Sequence, residues 1–280
     1  MKLVQFYTLQ DPERKLQVGI VKGDSEVVAL RFAGSMRELI QAGAIESVEE
    51  GLAYRLEDVK LMSPLTDPEK IICIGLNYHD HVIESNMQVP KVPVLFPKYN
   101  NCLVGQDDEV VIPREVTQCD YEVELAVVIG KTAKKVPLES AMDYVFGYTV
   151  LNDVSARDIQ LNEPQWTRGK TIDGFAPTGP WIVTADEIEQ PGNLSISLKL
   201  NGETMQHSNT KELIFDIPYL VSFLSNTITL RPGDIISTGT PPGVGMGKKP
   251  QVWLKPGDVV EATVEGIGTL RNTFAGESNE

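Results

Sequence analysis

The sequence predicts an α+β fold: a β-rich mixed sheet, rolled or sandwiched, with a small α/β unit at its N-terminus. Three observations point there. Strand-length apolar runs recur along the chain, each closed by Gly, Pro or Asn turns. Helix candidates are few. The runs do not alternate with helices, which argues against a doubly wound parallel sheet. So many strands need rolling or stacking to protect their edges.

The chain has 280 residues, a prior of about two domains. Its 39 acidic and 25 basic residues give a formal charge of −14. That balance excludes a nucleic-acid groove, which needs a Lys/Arg footprint, and an anionic membrane surface. Hydrophobic residues make up 41% of the chain, enough for a core, so the charge is no sign of disorder. No apolar run reaches the ~18 residues of a membrane span, and the first residues do not read as a signal peptide. Cys73, Cys102 and Cys119 are odd in number and form no CxxC, so free thiols in a reducing cytoplasm are expected.

The elements follow in order. Strands are expected at Lys2–Thr8, Leu16–Lys22 and Glu26–Leu30. Ser35 caps a helix over Met36–Ala42 and Gly43 stops it. A second helix is expected over Ile45–Tyr54. Two prolines, Pro64 and Pro68, mark a boundary, giving a small N-terminal α/β domain (1–63), a catalytic domain (64–274) and a disordered tail (275–280). Further strands are expected at Ile71–Gly75, Val110–Ile112, Tyr121–Ile129, Val145–Leu151, Trp181–Thr184, Ser195–Leu200, Asp234–Ser237 and Val259–Val264. Asn201-Gly202 is a two-residue hairpin signal. The remaining helix candidates are His79–Ser85, Leu138–Tyr144 and Ile217–Leu224.

Five segments could carry chemistry. In the run 120–130, DYEVELAVVIG, Glu122 and Glu124 share one strand face and Val123, Leu125 and Val127 the other. A solvated strand face is the bland reading. It sits badly with the Ala126–Ile129 continuation, which is apolar on both faces. In 147–160, GYTVLNDVSARDIQ, an apolar strand ends at Asp153, a helix cap or a third carboxylate. Three carboxylates without histidine or thiolate make a hard oxygen site suited to Mg²⁺ or Mn²⁺. In 165–181, QWTRGKTIDGFAPTGPW, Lys170 stands in a Gly/Pro-rich loop. Beside three carboxylates and a divalent ion it would neutralise a buried site.

The fourth segment, GLNYHDHVIE (75–84), spaces His81 and Glu84 one helical turn apart. A carboxylate that orients a histidine makes a general base, though a polar surface helix would look the same. His79 and His81 also suggest the first ligands of an amidohydrolase, but only His207 remains to complete that design. The fifth, STGTPPGVG (237–245), is no phosphate loop: Pro242 stands where Walker A needs Gly, and Lys248 is followed by Lys249. Its amides and the Thr240 hydroxyl could hold a carboxylate.

Taken in order, the five segments resemble the fumarylacetoacetate hydrolase family over about residues 64–274, in particular its bacterial acylpyruvase and oxaloacetate decarboxylase branch. The resemblance implies that Glu122, Glu124 and Asp153 ligate Mg²⁺ or Mn²⁺. It implies that Lys170 supports the metal and the substrate, and that Arg157, Gln160 and Thr240 contact the substrate. His81 and Glu84 would be the base dyad, on a segment that is a lid in relatives. The implied activity is metal-dependent carbon–carbon cleavage of small 2-oxo acids through a metal-stabilised enolate, by acylpyruvate hydrolysis or oxaloacetate decarboxylation. The alternative is an isomerase, hydratase or lyase of the same family, acting on an aromatic-catabolism oxo-dicarboxylate or a ureidoglycolate-like substrate. A homodimer is expected, with no nucleic-acid or membrane partner.

Overall fold

The computed structural model describes residues 1–43, 45–84 and 88–278. The N-terminal part contributes β1 (Lys2–Thr8), β2 (Gln17–Lys22), β3 (Glu26–Leu30), helix α1 (Met36–Ala42), β4 (Glu50–Arg55) and β5 (Val59–Leu61). Helix α1 begins and ends as its sequence predicts. Ser35 and Glu38 form a reciprocal capping box, and Gly43 closes the helix at φ 66°.

The chain continues with β6 (Ile71–Gly75), α2 (His79–Glu84), β7 (Val94–Lys98), β8 (Leu103–Val104), β9 (Glu109–Ile112), β10 (Cys119–Asp120) and β11 (Val123–Ile129). Next come β12 (Val145–Asn152), β13 (Ser155–Ala156), α3 (Arg157–Gln160), α4 (Thr167–Lys170) and β14 (Ala176–Thr184). The last elements are β15 (Ser195–Leu200), β16 (Glu203–Asn209), α5 (Ile217–Thr227), β17 (Ile235–Ser237), β18 (Val259–Val264) and β19 (Gly268–Gly276).

Twelve strands form one mixed sheet. Its main path is β4-β3-β2-β1-β14-β12-β11-β17-β6-β7, with β5 on β1 and β8 on β14. A second sheet has the order β16-β15-β18-β19-β9, and β10 pairs with β13. The architecture is the strand-rich α+β fold expected, with sheets that stay open rather than closing into a barrel. The N-terminal strands join the large sheet through the antiparallel pairing of β1 with β14, Leu3 opposite Ile182.

Strand β11 lies at the centre and is buried throughout. Val123, Leu125, Val127 and Ile129 pack into the larger core with the second sheet. Ala126 and Val128 pack into another core with α1. Full burial of each such Val, Leu or Ile side chain is worth about 1.5–3 kcal/mol, so β11 is anchored from both faces.

Two helix expectations are corrected. Ile45–Tyr54 is no helix: a 3₁₀ turn over Ile45–Ser47 leads into edge strand β4, paired antiparallel with β3. Its residues are mostly exposed, Leu52 at 70%, so no apolar periodicity marked it as a strand. Leu138–Tyr144 is 3₁₀ rather than α. Helix α2 is described to Glu84, and Ser85 lies outside the described residues. At the C-terminal end, Ala275 and Gly276 pair with Val111 and Ile112, and residues 279–280 lie outside the description.

Candidate active site

The pairing of β11 with β12 builds the site. Val123 faces Asn152, so the preceding Glu122 lies opposite the following Asp153. The Asp153 amide donates to Glu122 O at 2.8 Å, and the Glu122 amide to Asn152 Oδ1 at 2.9 Å. Glu124 points the same way as Glu122, toward the β17 side. There its Oε2 accepts the Ser237 hydroxyl at 2.5 Å and the Gly239 amide at 2.9 Å. One carboxylate oxygen from each of Glu122, Glu124 and Asp153 falls within 4.8 Å of the others.

Cations surround this triad. Lys170 Nζ lies 2.6 Å from Glu122 Oε2 and 2.7 Å from Asp153 Oδ2. Arg157 donates to Glu122 Oε1 at 2.5 Å, to Asp120 Oδ2 at 2.9 Å and to Gln160 Oε1 at 2.9 Å. Short helices α3 and α4 deliver these groups, and they approach closely at Gly169. A Cβ there would meet Gln160 N at 2.6 Å and Ala156 O at 2.8 Å.

The triad's charges are unequal. Burial works to raise Glu122, but Arg157 and Lys170 outweigh it and hold this carboxyl well below the ordinary range. At Glu124 the Ser237 hydrogen bond and the Lys170 charge pull the same way but are outweighed. Burial first, then the neighbouring Asp153 and Glu122 charges, push it up to about 8. Burial pulls Lys170 down, but Asp153 and Glu122 raise it above the ordinary lysine value.

These residues fit a divalent cation. Asp153 Oδ1 is a buried acceptor without a hydrogen bond. Lys98 Nζ stands 2.8 Å away, but its three protons go to the carbonyls of Val154, Lys170 and Phe175. Among the described residues, Asp120, Glu122, Glu124 and Asp153 face three cations, Arg157, Lys170 and Lys98, so one negative charge is left over when all are ionised. Three converging buried carboxyls, one held ionised and one that resists ionisation, make the donor set of a hard oxygen site.

Glu122 and Glu124, with Asp153 buried behind them, line a pocket of about 430 Å³. His81 and Glu84 line it from α2, with His81 Nδ1 3.1 Å from Glu84 Oε2. Glu84 is held by the glycine-rich loop, accepting the Gly243 amide at 2.9 and 3.1 Å. Gly243 has φ 102°, and a Cβ there would strike Met205 O at 2.1 Å, so this turn requires glycine. Phe96, Trp166, Leu161, Val244 and Met246 supply an apolar wall.

The structure therefore gathers Glu122, Glu124, Asp153, Lys170, Arg157, Gln160, His81, Glu84 and Thr240 in one place. Some groups are used differently from what their sequence context suggests. The loop amides do hold carboxylates, but the protein's own: Glu84 on Gly243, and Asp120 on Gly245 at 2.7 Å and Met246 at 3.1 Å. Thr240 lines the pocket, yet its hydroxyl donates to Val123 O at 3.0 Å and accepts from Gln206 at 2.8 Å. Arg157 and Gln160 both line the pocket, with the guanidinium bound to Asp120, Glu122 and Gln160 Oε1. Asp120 and Lys98 were missed. Asp120 is in the same motif as Glu122, and a lysine ending the apolar run Val94–Lys98 was the only signal for the other.

Fold and site together define the class: a strand-rich α+β protein with a buried three-carboxylate constellation, suited to a cation, beside a pocket bearing a His–Glu pair. Within that class, the chain belongs to the fumarylacetoacetate hydrolase family. The family described as "Fumarylacetoacetate (FAA) hydrolase C-terminal" matches residues 70–275. The mitochondrial oxaloacetate tautomerase of Rattus norvegicus is 44% identical, over 97% of this chain and 91% of its own. That of Xenopus laevis is 42% identical, over 97% and 89%. Among solved structures, fumarylacetoacetate hydrolase from Exiguobacterium antarcticum superposes with TM-score 0.88 at 38% identity, covering 99% of this chain and 100% of that one. A 5-carboxymethyl-2-hydroxymuconate delta-isomerase from Mycobacterium smegmatis gives 0.83 at 35%, with the same coverage. Among the described residues no helix is long and apolar enough to cross a membrane, and the animal relatives are named as mitochondrial.

Proposed function

We propose that this chain is a divalent-cation-dependent enzyme that interconverts or cleaves small 2-oxo acids through an enolate, with keto–enol interconversion of oxaloacetate as its leading reaction. The observation that carries the reading is the placement of the His81–Glu84 pair across one pocket from the Glu122–Glu124–Asp153 cluster. The names of the 41–44% identical relatives that align over 97% of this chain support oxaloacetate as the substrate.

The three carboxylates would hold Mg²⁺ or Mn²⁺, which supplies Lewis acidity toward a keto oxygen. The protein's own groups do the rest. Glu84 takes the proton on His81 Nδ1 as its hydrogen-bond partner, so Nε2 is left as the ring's acceptor. Placed beside the carbon next to the keto group, Nε2 removes a proton and the electron pair moves onto the keto oxygen. Lys170, on the pocket wall, faces that charge as it develops. Protonation at oxygen gives the enol; protonation at carbon returns the ketone. The Gln160 amide donates to the substrate carboxylate, and the apolar wall keeps water out.

Carbon–carbon cleavage is the second reading. It draws support from the hydrolase family match and from the 38% identical hydrolase structure. It uses the same enolate, reached by loss of CO₂ or by water that His81 activates against a distal carbonyl.

One assay separates the two. Loss of the oxaloacetate enol absorbance and release of pyruvate are followed together, with Mn²⁺, with EDTA, and with Mn²⁺ but no protein. Enol loss faster than the blank without extra pyruvate supports the tautomerase. Pyruvate release above the blank, from oxaloacetate or acetylpyruvate, supports cleavage. Neither activity in the Mn²⁺-loaded protein overturns both.

A further inference from the structure

The pocket is lined by three cations, Arg157, Lys170 and Lys249. Two of them are committed. Arg157 is bound to Asp120, Glu122 and Gln160, and Lys170 to Glu122 and Asp153. Lys249 is exposed and, among the described residues, has no hydrogen-bond or ion-pair partner. Its neighbour Lys248 is drawn away from the pocket, Nζ donating to Met205 O at 3.0 Å. Of the two adjacent lysines, one ties the loop down and the other faces the cavity.

The backbone that carries Lys249 is held in place. Asp120 accepts the Gly245 and Met246 amides, the Gly245 carbonyl accepts from Lys248 and Val252, and Gln251 Nε2 donates to Met246 O. Asp120 also holds Arg157, so the loop is in register with the carboxylate cluster. Much of the remaining wall is apolar: Phe96, Trp166, Leu161, Val244 and Met246 cannot solvate an anion.

From this placement we infer that Lys249 is a specificity-determining residue, recognising a second carboxylate at the far end of the substrate. The inference rests on the 2-oxo acid reading above and narrows it to 2-oxo dicarboxylates. The keto acid end belongs to the cluster of Glu122, Glu124, Asp153 and Lys170. A distal carboxylate then has one uncommitted cation to meet, and an ion pair in a partly dry pocket discriminates more than one in open water. A substrate with a neutral distal group leaves Lys249 with nothing to bind.

The test compares oxaloacetate with its 4-methyl ester, in which the distal charge is removed, using the Mn²⁺-loaded protein and its Lys249→Met and Lys249→Arg variants. The expected result is a preference for the diacid in the parent. In Lys249→Met the diacid-over-ester ratio in kcat/KM falls about tenfold, carried by KM, and Lys249→Arg restores most of it. Calorimetry on Lys249→Met checks that Mn²⁺ still binds. A ratio that stays within about twofold in Lys249→Met while the parent turns over oxaloacetate overturns this inference alone. A parent that turns over neither substrate overturns the proposed function and this inference with it.

Discussion

Arg157 Nε donates to Asp120 Oδ2 at 2.9 Å, and both side chains are buried. Through this bond Asp120, which carries the glycine-rich loop on two of its amide contacts, is joined to the guanidinium that fixes Glu122 and Gln160. Loop, strand and helix α3 thus share one buried charge pair.

Removing one partner of such a pair leaves the other charge uncompensated. Asp120→Ala is expected to cost about 3–5 kcal/mol of stability. Denaturant midpoints of parent and variant check this, and an unchanged midpoint would dismiss Asp120 as a structural centre.

Glu124→Gln keeps the shape of the side chain and an oxygen for Ser237 and Gly239, so the fold should hold. It removes the charge of a proposed cation ligand. Mn²⁺ affinity, read by calorimetry, should fall by more than the roughly 10–100-fold typical of outer-shell partners. An affinity equal to the parent's would remove Glu124 from the cation site.

His81→Asn should lower turnover about 10²–10⁴-fold while Mn²⁺ binding persists. Glu84→Gln should give a smaller loss, because the glycine loop still positions the residue while the ring loses its anionic partner. A His81 variant within a few-fold of the parent would make the dyad structural.

The cation-free protein should lose stability as pH rises from about 5 to about 8. The carboxyl of Glu124 is raised from its ordinary 4.5 to about 8, so in this window the folded state binds a proton that the unfolded state has released. The slope of stability with pH is therefore negative there. Thermal melts in EDTA across this range measure it, and Glu124→Gln should flatten the contribution. Mn²⁺ should raise the melting temperature more at the alkaline end, where it need not displace a proton.

Much of the site can be read from the sequence because local geometry dictates it. Period-two alternation alone puts Glu122 and Glu124 on one face, and the end of an apolar strand locates Asp153. Asn201-Gly202 does form a hairpin between β15 and β16, with φ 52° and 84° at the two turn residues. What stayed hidden depends on residues distant in the chain. Nothing near Lys98 in sequence shows that it will meet three carbonyls from residues 154, 170 and 175. Nor does the loop's composition say that its amides serve Glu84 and Asp120 rather than a ligand. Edge strand β4 escaped because an exposed strand carries no apolar pattern to read.

Strand β11 has no solvent face, and that has a dynamic consequence. The strand pairs with β12 along its length and with β17 over residues 126–128, so its amides are expected to be among the slowest in the protein to exchange with deuterated solvent. Glu124 rides on that buried strand, so this wall of the pocket is expected to rearrange more slowly than the rest. Any accommodation of longer or shorter substrates falls to the opposite wall, where α2 meets the glycine loop through the carboxylate of Glu84. Diversification of substrate choice in this architecture is therefore expected to collect in the residues of that wall, leaving the carboxylate strand untouched.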